Sequence, residues 1–482
     1  MEVEVSLLAI LLGLALAFVL ARFFTSDKPT ILPDGTMGWP LLGETLAFLK
    51  PHKSNSMGSF LQEHCSRYGK VFKSHLFGSP AIVSCDHELN MFILQNEEKL
   101  FSASYPTAMH GILGKFSLLL ISGDLHKKLR NVAVSFIAVC KSSPGYLHCV
   151  ENFAVSMMES WKECKEIAFH KEVKKLTLNL MVKNLLSIEP EEPLAVKILH
   201  DFRTYMKGFV SLPLDFPGSP YTKAVKARAR LSSSVREIIK ERELNKTVGL
   251  TKGDFLDMIL SKRRLTEEET VSIVLDILLG GYETTATLIS LIVYFLGHAP
   301  AAFQSLKKEH EAIRKGKEEG KPLNWEDYQK MEFTQNVISE AMRCGNVVKF
   351  VHRKALQDIK YNEYIIPSGW KVLPVFTGAH FDPSLHENPF DFNPWRWTVF
   401  HLFEQEKGTS KTVMPFGGGP RLCPGAELAK VEIAFFLHHL VLSYRWKIKV
   451  DDDYPIAYPY VEFRRGLVLA IEPVEAVTGD EP

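Results

Sequence analysis

The segment Phe416-Gly417-Gly418-Gly419-Pro420-Arg421-Leu422-Cys423-Pro424-Gly425 constrains this chain more than any other. Glycine loses more conformational freedom on folding than any other residue, so three in a row imply a backbone approach that side chains would block. A tight loop pressed against a flat ligand is one such need. A helical pattern follows directly, over residues 426–442. Cys423 therefore stands at a helix N-terminus, where the dipole and free N–H groups favour a thiolate. Arg421, two residues earlier, can neutralise a nearby anion. A lone free cysteine is ordinarily a buried core residue; here the surrounding glycines and arginine argue for a ligand instead.

Composition limits what can surround this loop. At 482 residues the chain is long enough for two or three domains, but no Pro/Gly/Ser tract divides it. With 46% hydrophobic and 23% charged residues, one large catalytic unit with a big core is expected. A net charge of +1 argues against nucleic acid as a partner, because phosphate binding draws on an excess of Lys and Arg. The seven cysteines include no CxxC pair, which excludes a zinc ribbon or dithiol motif and fits reduced thiols on the cytosolic side.

Residues 5–21 are apolar except for Ser6 and read as a membrane anchor over 1–25. Ala15-Leu16-Ala17 resembles a signal cleavage site, but Glu2 and Glu4 precede the run where a signal peptide wants positive charge. Arg22 and Lys28 follow it, which leaves the N-terminus in the lumen and the remainder in the cytosol, single-pass in the endoplasmic reticulum membrane. A stiff Pro/Gly-rich connector occupies 26–45, and 46–482 form the catalytic domain. Residues 71–85 predict two strands turning at Gly78-Ser79-Pro80, and 354–376 a second strand-rich stretch broken at Pro367-Ser368-Gly369. Residues 307–321 read as a solvated helix and its trailing loop, and 267–296 as a buried central helix interrupted by Asp276 and Glu283. The expected fold is mainly α with a minor β region.

The cysteine loop resembles the haem-binding loop of the cytochrome P450 superfamily, with Phe416, Gly417, Arg421, Cys423 and Gly425 in family positions. That resemblance implies the P450 fold and a haem b whose iron takes Cys423 as axial ligand, with Phe416 and Arg421 beside it. Glu340-Ala341-Met342-Arg343 places acid and base at i and i+3 on one helix face, alone only a weak surface pair. Arg396, in Phe392-Asn393-Pro394-Trp395-Arg396-Trp397, matches the family arginine that joins the pair into a structural lock. Gly280-Gly281-Tyr282-Glu283-Thr284-Thr285 matches the oxygen-activation motif. Thr284 is then the proton donor and water organiser, bonding back to the Gly280 carbonyl, with Glu283 feeding protons from outside. His126 and Arg130, four apart, with Arg353 and Arg421, are the implied clamp for the haem carboxylates, since arginine pairs bidentately with carboxylate.

No flavin or nicotinamide motif is present, and Gly417-Gly418-Gly419 does not fit a dinucleotide-binding turn. Electrons from NADPH must therefore reach O2 through a separate NADPH–cytochrome P450 reductase, docking on a basic face near His126–Arg130. Ser211-Leu212-Pro213-Leu214-Asp215-Phe216-Pro217-Gly218, the Phe392–Trp397 stretch and Pro459-Tyr460-Val461-Glu462-Phe463 are similar to plant steroid hydroxylases of the brassinosteroid pathway, which act on the sterol side chain, usually at C-22. This implies a phytosterol or cholesterol-like substrate, entering from the membrane side near 212–220, in a pocket lined by 108–120, 274–281 and 348–351. Cys344, Ile121-Ser122 and Lys141-Ser142 depart from that branch, leaving another steroid position or a triterpenoid open. A haem-thiolate isomerase or lyase needs no reductase and no relay, so Glu283-Thr284 argues against it. The intact motifs argue against a non-catalytic sterol or haem binder. The topology makes one prediction. The sequon at Asn245-Lys246-Thr247 stays unmodified on the cytosolic side; a glycosidase-sensitive mobility shift traced to Asn245 would overturn it.

Overall fold

The long helices follow from capping and apolar periodicity. In this computed structural model, described over residues 31–474 apart from 41–42, 142, 210, 212, 248, 319, 399–411, 450–452 and 459, those that frame the site are, in chain order, α1 (His87–Gln95), α2 (Gly123–Cys140), α3 (Pro144–Glu159), α4 (Phe169–Leu186), α5 (Pro193–Met206), α6 (Pro220–Thr247), α7 (Glu267–His298), α8 (Pro300–Lys315), α9 (Glu332–Gly345) and α10 (Ala426–Ser443). The anchor expected over 1–25 lies outside the described residues.

α7 is the central member. A reciprocal capping box starts it: Thr266 Oγ1 accepts the Glu269 N–H and Glu269 accepts the Thr266 N–H. Halfway along, Gly280–Thr284 form a π-helical turn before regular α-helix resumes. The helix is long and apolar enough to cross a membrane, but 67% of its most apolar window is buried inside the protein. This is the buried central helix expected from 267–296. It packs between α4 and α9, while α6 packs on α5 and α10 on α3. One apolar cluster runs through α2 to α10, with Leu129, Leu147, Phe169, Ile198, Leu231, Ile292, Leu306, Val337 and Phe435 all buried.

The largest sheet joins β1 (Val71–Leu76), β2 (Ser79–Ser84), β3 (Phe101–Ala103), β4 (Arg353–Ala355) and β5 (Lys371–Pro374) in the order β1-β2-β5-β4-β3. Only the β2–β5 pairing is parallel. The turn between β1 and β2 falls at Phe77-Gly78, not at Gly78-Ser79-Pro80. Phe77 and Gly78 take φ of 54° and 74°, the two consecutive positive angles that suit the right-handed twist of a hairpin. Pro80, whose ring fixes a negative φ, cannot occupy such a position and pairs with His75 inside the strand. The break at Pro367-Ser368-Gly369 separates a short hairpin, Ile359–Tyr361 with Tyr364–Ile366, from β5. Two further three-stranded sheets involve residues near the C-terminus: His52–Lys53 with Ile456–Tyr458 and Tyr460–Glu462, and Glu166–Ala168 with Tyr444–Ile448 and Val468–Pro473. The fold is mainly helical with a minor sheet component.

Candidate functional site

The three glycines of the cysteine loop do different things. Gly417 and Gly419 take φ of 75° and 62°, which only glycine adopts freely. A Cβ on Gly419 would lie 2.0 Å from the carbonyl oxygen of Leu94 at the end of α1. The close approach inferred from the sequence is therefore made, at this position, against the backbone beside α1. The Cys423 N–H donates to the Phe416 carbonyl at 3.0 Å and closes the loop, three residues before α10 begins. Cys423 is solvent-accessible, yet enough protein surrounds it that burial raises its thiol pKa, opposed by the Gly425 N–H and the positive charge of Arg130.

Behind the loop, Glu340 and Arg343 on α9 are wholly buried. Arg343 Nε donates to Glu340 Oε2 at 3.0 Å and Nη2 to Oε1 at 2.7 Å. Arg396 Nε donates to Oε1 at 3.0 Å, the Asn393 N–H to Oε1 at 2.9 Å and Trp397 Nε1 to Oε2 at 2.9 Å. Burial alone would raise the Glu340 carboxyl; the bonds and charge of Arg343, with those of Asn393 and Arg396, outweigh it and hold the group below its ordinary value. The remaining donors of Arg343 reach the carbonyls of His380, Pro389 and Asp391.

His380 was not singled out in the sequence, where nothing distinguishes it from other histidines. It is buried, and burial followed by the charge of Arg343 lowers its pKa to about 3, so it is neutral. Its partners assign the tautomer: Nδ1–H donates to Asn346 Oδ1 at 2.8 Å, and Nε2 accepts the Met414 N–H at 3.1 Å. Asn346 Nδ2 in turn donates to the Arg343 carbonyl at 3.0 Å. Through His380 the lock on α9 reaches Met414, two residues before the cysteine loop opens. Cys344 lies inside the same network, with its Sγ 3.1 Å from Arg343 Nη2.

On α7, Thr284 Oγ1 donates to the Gly280 carbonyl at 2.6 Å, the back-bond expected from the sequence. Gly280 and Thr284 are accessible on a helix that is otherwise mostly buried. The two motif glycines divide their work. A Cβ on Gly280 would meet nothing within 4 Å, whereas one on Gly281 would strike Met181 Sδ of α4 at 2.4 Å. Only Gly280 leaves open space; Gly281 permits close helix packing. Glu283 is buried and paired with Lys174 Nζ of α4 at 2.6 Å. Burial raises its pKa against the opposing charge of Lys174. Lys174 is itself only 20% exposed.

His126, Arg130, Arg353 and Arg421 converge, as their mutual electrostatic influence records. Two of them meet on Glu97, missed in the sequence because nothing local marks it. Arg421 Nε donates to Glu97 Oε1 at 2.7 Å, and Arg353 Nε lies 2.6 Å from Oε2. Arg130 Nη2 donates to the Leu422 carbonyl at 2.5 Å. Burial, then Arg421 and Arg130, lowers the His126 pKa to about 4, leaving a neutral imidazole.

Such a fold, with a single thiol offered from a helix-capping glycine loop, defines a haem-thiolate class of protein. The family model described as cytochrome P450 matches residues 33–475. A rice protein, cytochrome P450 724B1 (Oryza sativa subsp. japonica), is 56% identical over 480 residues, covering 98% of each chain. The cholesterol 22-monohydroxylase CYP90B52 of Paris polyphylla is 43% identical over 96% of this chain and 97% of its own. A rice steroid (22S)-hydroxylase is 42% identical over 91% and 88%. Among solved structures, the retinoic acid-bound cyanobacterial CYP120A1 superposes with a TM-score of 0.79 over 93% of this chain and all of its own, at 23% identity, and shares the fold. The chain belongs to the cytochrome P450 family. It is a monooxygenase that uses haem iron and O2, with electrons from NADPH supplied through a reductase.

The residues present fit a haem. Cys423 offers a soft donor, Gly280 leaves open space on α7, and two of the three guanidiniums share a single carboxylate, so positive charge is left over for an anionic group. Removing one member of a buried charge network strands the rest, at a cost of about 3–5 kcal/mol. Arg343→Ala is therefore expected to yield protein without haem, seen as loss of the thiolate-shifted Soret band of the reduced, CO-bound form. Normal haem content and thermal stability in that variant would refute the lock.

Proposed function

We propose that this chain hydroxylates a sterol of phytosterol or cholesterol type, on the side chain at or near C-22, and that Cys423 is the axial ligand. The observation that carries the reading is the identity of 56%, 43% and 42% to relatives matched over nearly their full lengths, two of them 22-hydroxylases by name. When bound, the haem supplies oxygen activation, and a thiolate at Cys423 pushes electron density that favours O–O cleavage.

The chain's own residues supply position and protons. His126, Arg130, Arg353 and Arg421 hold the haem carboxylates, and Phe416 flanks the thiolate. Glu340, Arg343 and Arg396 fix the loop and take no part in chemistry. Thr284 commits its O–H to Gly280, so Oγ1 turns lone pairs toward the pocket and accepts from a water, which it orients. Glu283, with Lys174, delivers protons to that water from the solvent side.

The catalytic domain sits on the cytosolic face of the endoplasmic reticulum membrane. Trp39, Leu46, Leu214 and Phe216 support this, being 79%, 72%, 51% and 55% exposed, the first two in the sequence that follows the expected anchor and the others in the expected entry loop. Apolar surface of this kind favours a lipid interface. The exposed Lys127 and Lys128 on α2 offer the reductase a basic face, although Lys128 is partly engaged by Glu269 at 2.8 Å.

Reconstitution with a plant reductase, NADPH and a sterol panel tests the activity, with products identified by mass spectrometry and NMR. A 22-hydroxysterol is expected; oxidation confined to the ring system would overturn the side-chain reading. Thr284→Ala is expected to keep its haem but lower product formed per NADPH by about tenfold or more, the shortfall appearing as peroxide. Unchanged coupling would sink the role given to Thr284.

A further inference from the structure

Asp276 interrupts the most apolar helix of the protein, and neither the thiolate loop nor the relay explains it. A buried carboxyl is costly unless it is hydrogen-bonded. Here both oxygens are satisfied from outside the helix: Ser117 Oγ donates to Oδ1 at 2.9 Å, and the Leu118 N–H donates to Oδ2 at 2.7 Å. Both donors lie in the loop between the short helix Thr107–Leu113 and α2. Ser117 is fully buried, so its hydroxyl is committed to this contact.

The same loop is gripped from the other side. Arg421 Nη1 donates to the Leu118 carbonyl at 3.0 Å and Nη2 to the Ile121 carbonyl at 2.6 Å. Leu118 thus gives its N–H to α7 and its carbonyl to the cysteine loop. Arg228 of α6 holds the loop's start through the Leu113 carbonyl at 2.8 Å, and Arg228 with Tyr205 of α5 also faces Asp276. Asp276, Gly280 and Thr284 follow one another at i, i+4 spacing on one side of α7, Asp276 partly buried and the other two exposed, so Asp276 lies about 12 Å along the helix from Thr284. The loop segment carries Leu118-Leu119-Leu120, an apolar run only partly buried. The two stretches that the family resemblance implies as pocket walls, 108–120 and 274–281, are therefore tied together by one side chain.

We propose that Asp276 is a specificity-determining positioning residue: by clasping Ser117 and Leu118 it fixes the pocket wall beyond Thr284 and so selects which carbon of an elongated apolar substrate is oxidised. The sterol reading enters only through the choice of probe. Asp276→Ala breaks both bonds. Asp276→Asn keeps both, because its amide oxygen accepts the Leu118 N–H and its amide nitrogen donates to Ser117 Oγ.

The test uses the full-length, haem-loaded enzyme with cholesterol as probe. In Asp276→Ala, amide exchange over 117–122 is expected to accelerate about tenfold and the ratio of minor to major hydroxylation products to rise about tenfold, as for loss of two hydrogen bonds. KM rises with it, while haem content stays normal and Asp276→Asn remains close to wild type. Should Asp276→Ala lose haem, Ser117→Ala decides the matter by moving the same ratio and exchange rate in the same direction, about threefold. An unchanged product ratio despite faster exchange overturns the proposal, as does unchanged exchange, or an asparagine variant as altered as the alanine one. If wild type leaves cholesterol untouched, the sterol reading suffers, and the product ratio is read instead on an elongated apolar substrate that wild type does hydroxylate.

Discussion

Glu340 accepts five hydrogen bonds from Arg343, Asn393, Arg396 and Trp397 while wholly out of solvent. A buried ion pair adds little net stability over an apolar replacement, because desolvation offsets the attraction. Its value here is geometric. Arg343 spends its remaining donors on three carbonyls of the segment after β5, and His380 carries the constraint on to Met414. The cysteine loop is thereby referenced to α9, and α9 to α7, against which it packs. The loop that carries Cys423 and the helix that carries Thr284 are thereby referenced to one helix interface.

Charge is handled differently on the other side of the loop. Glu97 draws Arg353 and Arg421 together, so guanidiniums that would repel one another are held in one place before any anion arrives. His126 remains neutral among them and adds nothing to the repulsion. Arg421 additionally reaches the Leu118 and Ile121 carbonyls, which couples the guanidinium cluster to the loop before α2.

Features whose physics is local were legible in the sequence. The back-bond from Thr284, the pairing of Glu340 with Arg343 at i+3 and the helix after Cys423 each depend on residues within a turn of one another. The resemblance of the loop supplied the reaction class. The hairpin at Phe77-Gly78 was misplaced because phenylalanine carries no turn signal, although Pro80 already ruled out the alternative. Glu97, His380, Lys174 and the Asp276 clasp were illegible for one reason. Their partners lie far away in sequence, Arg421 by 324 residues in the case of Glu97, and only the packed fold brings them into reach.

The five-stranded sheet has an implication for how the molecule is made. β1, β2 and β3 come from residues 71–103, but the strands that join them, β4 and β5, come from 353–374. Gly419 then seats on the backbone of Leu94, and Arg421 on Glu97. Contacts of such long sequence separation form slowly, since loop closure must precede the reward. On the ribosome, the free edge of β2 and the strand β3 wait for most of the chain, and a cofactor site that includes Cys423 first exists only after residue 423 has emerged. Haem capture in the cell is then a late event, tied to the end of translation rather than to its beginning.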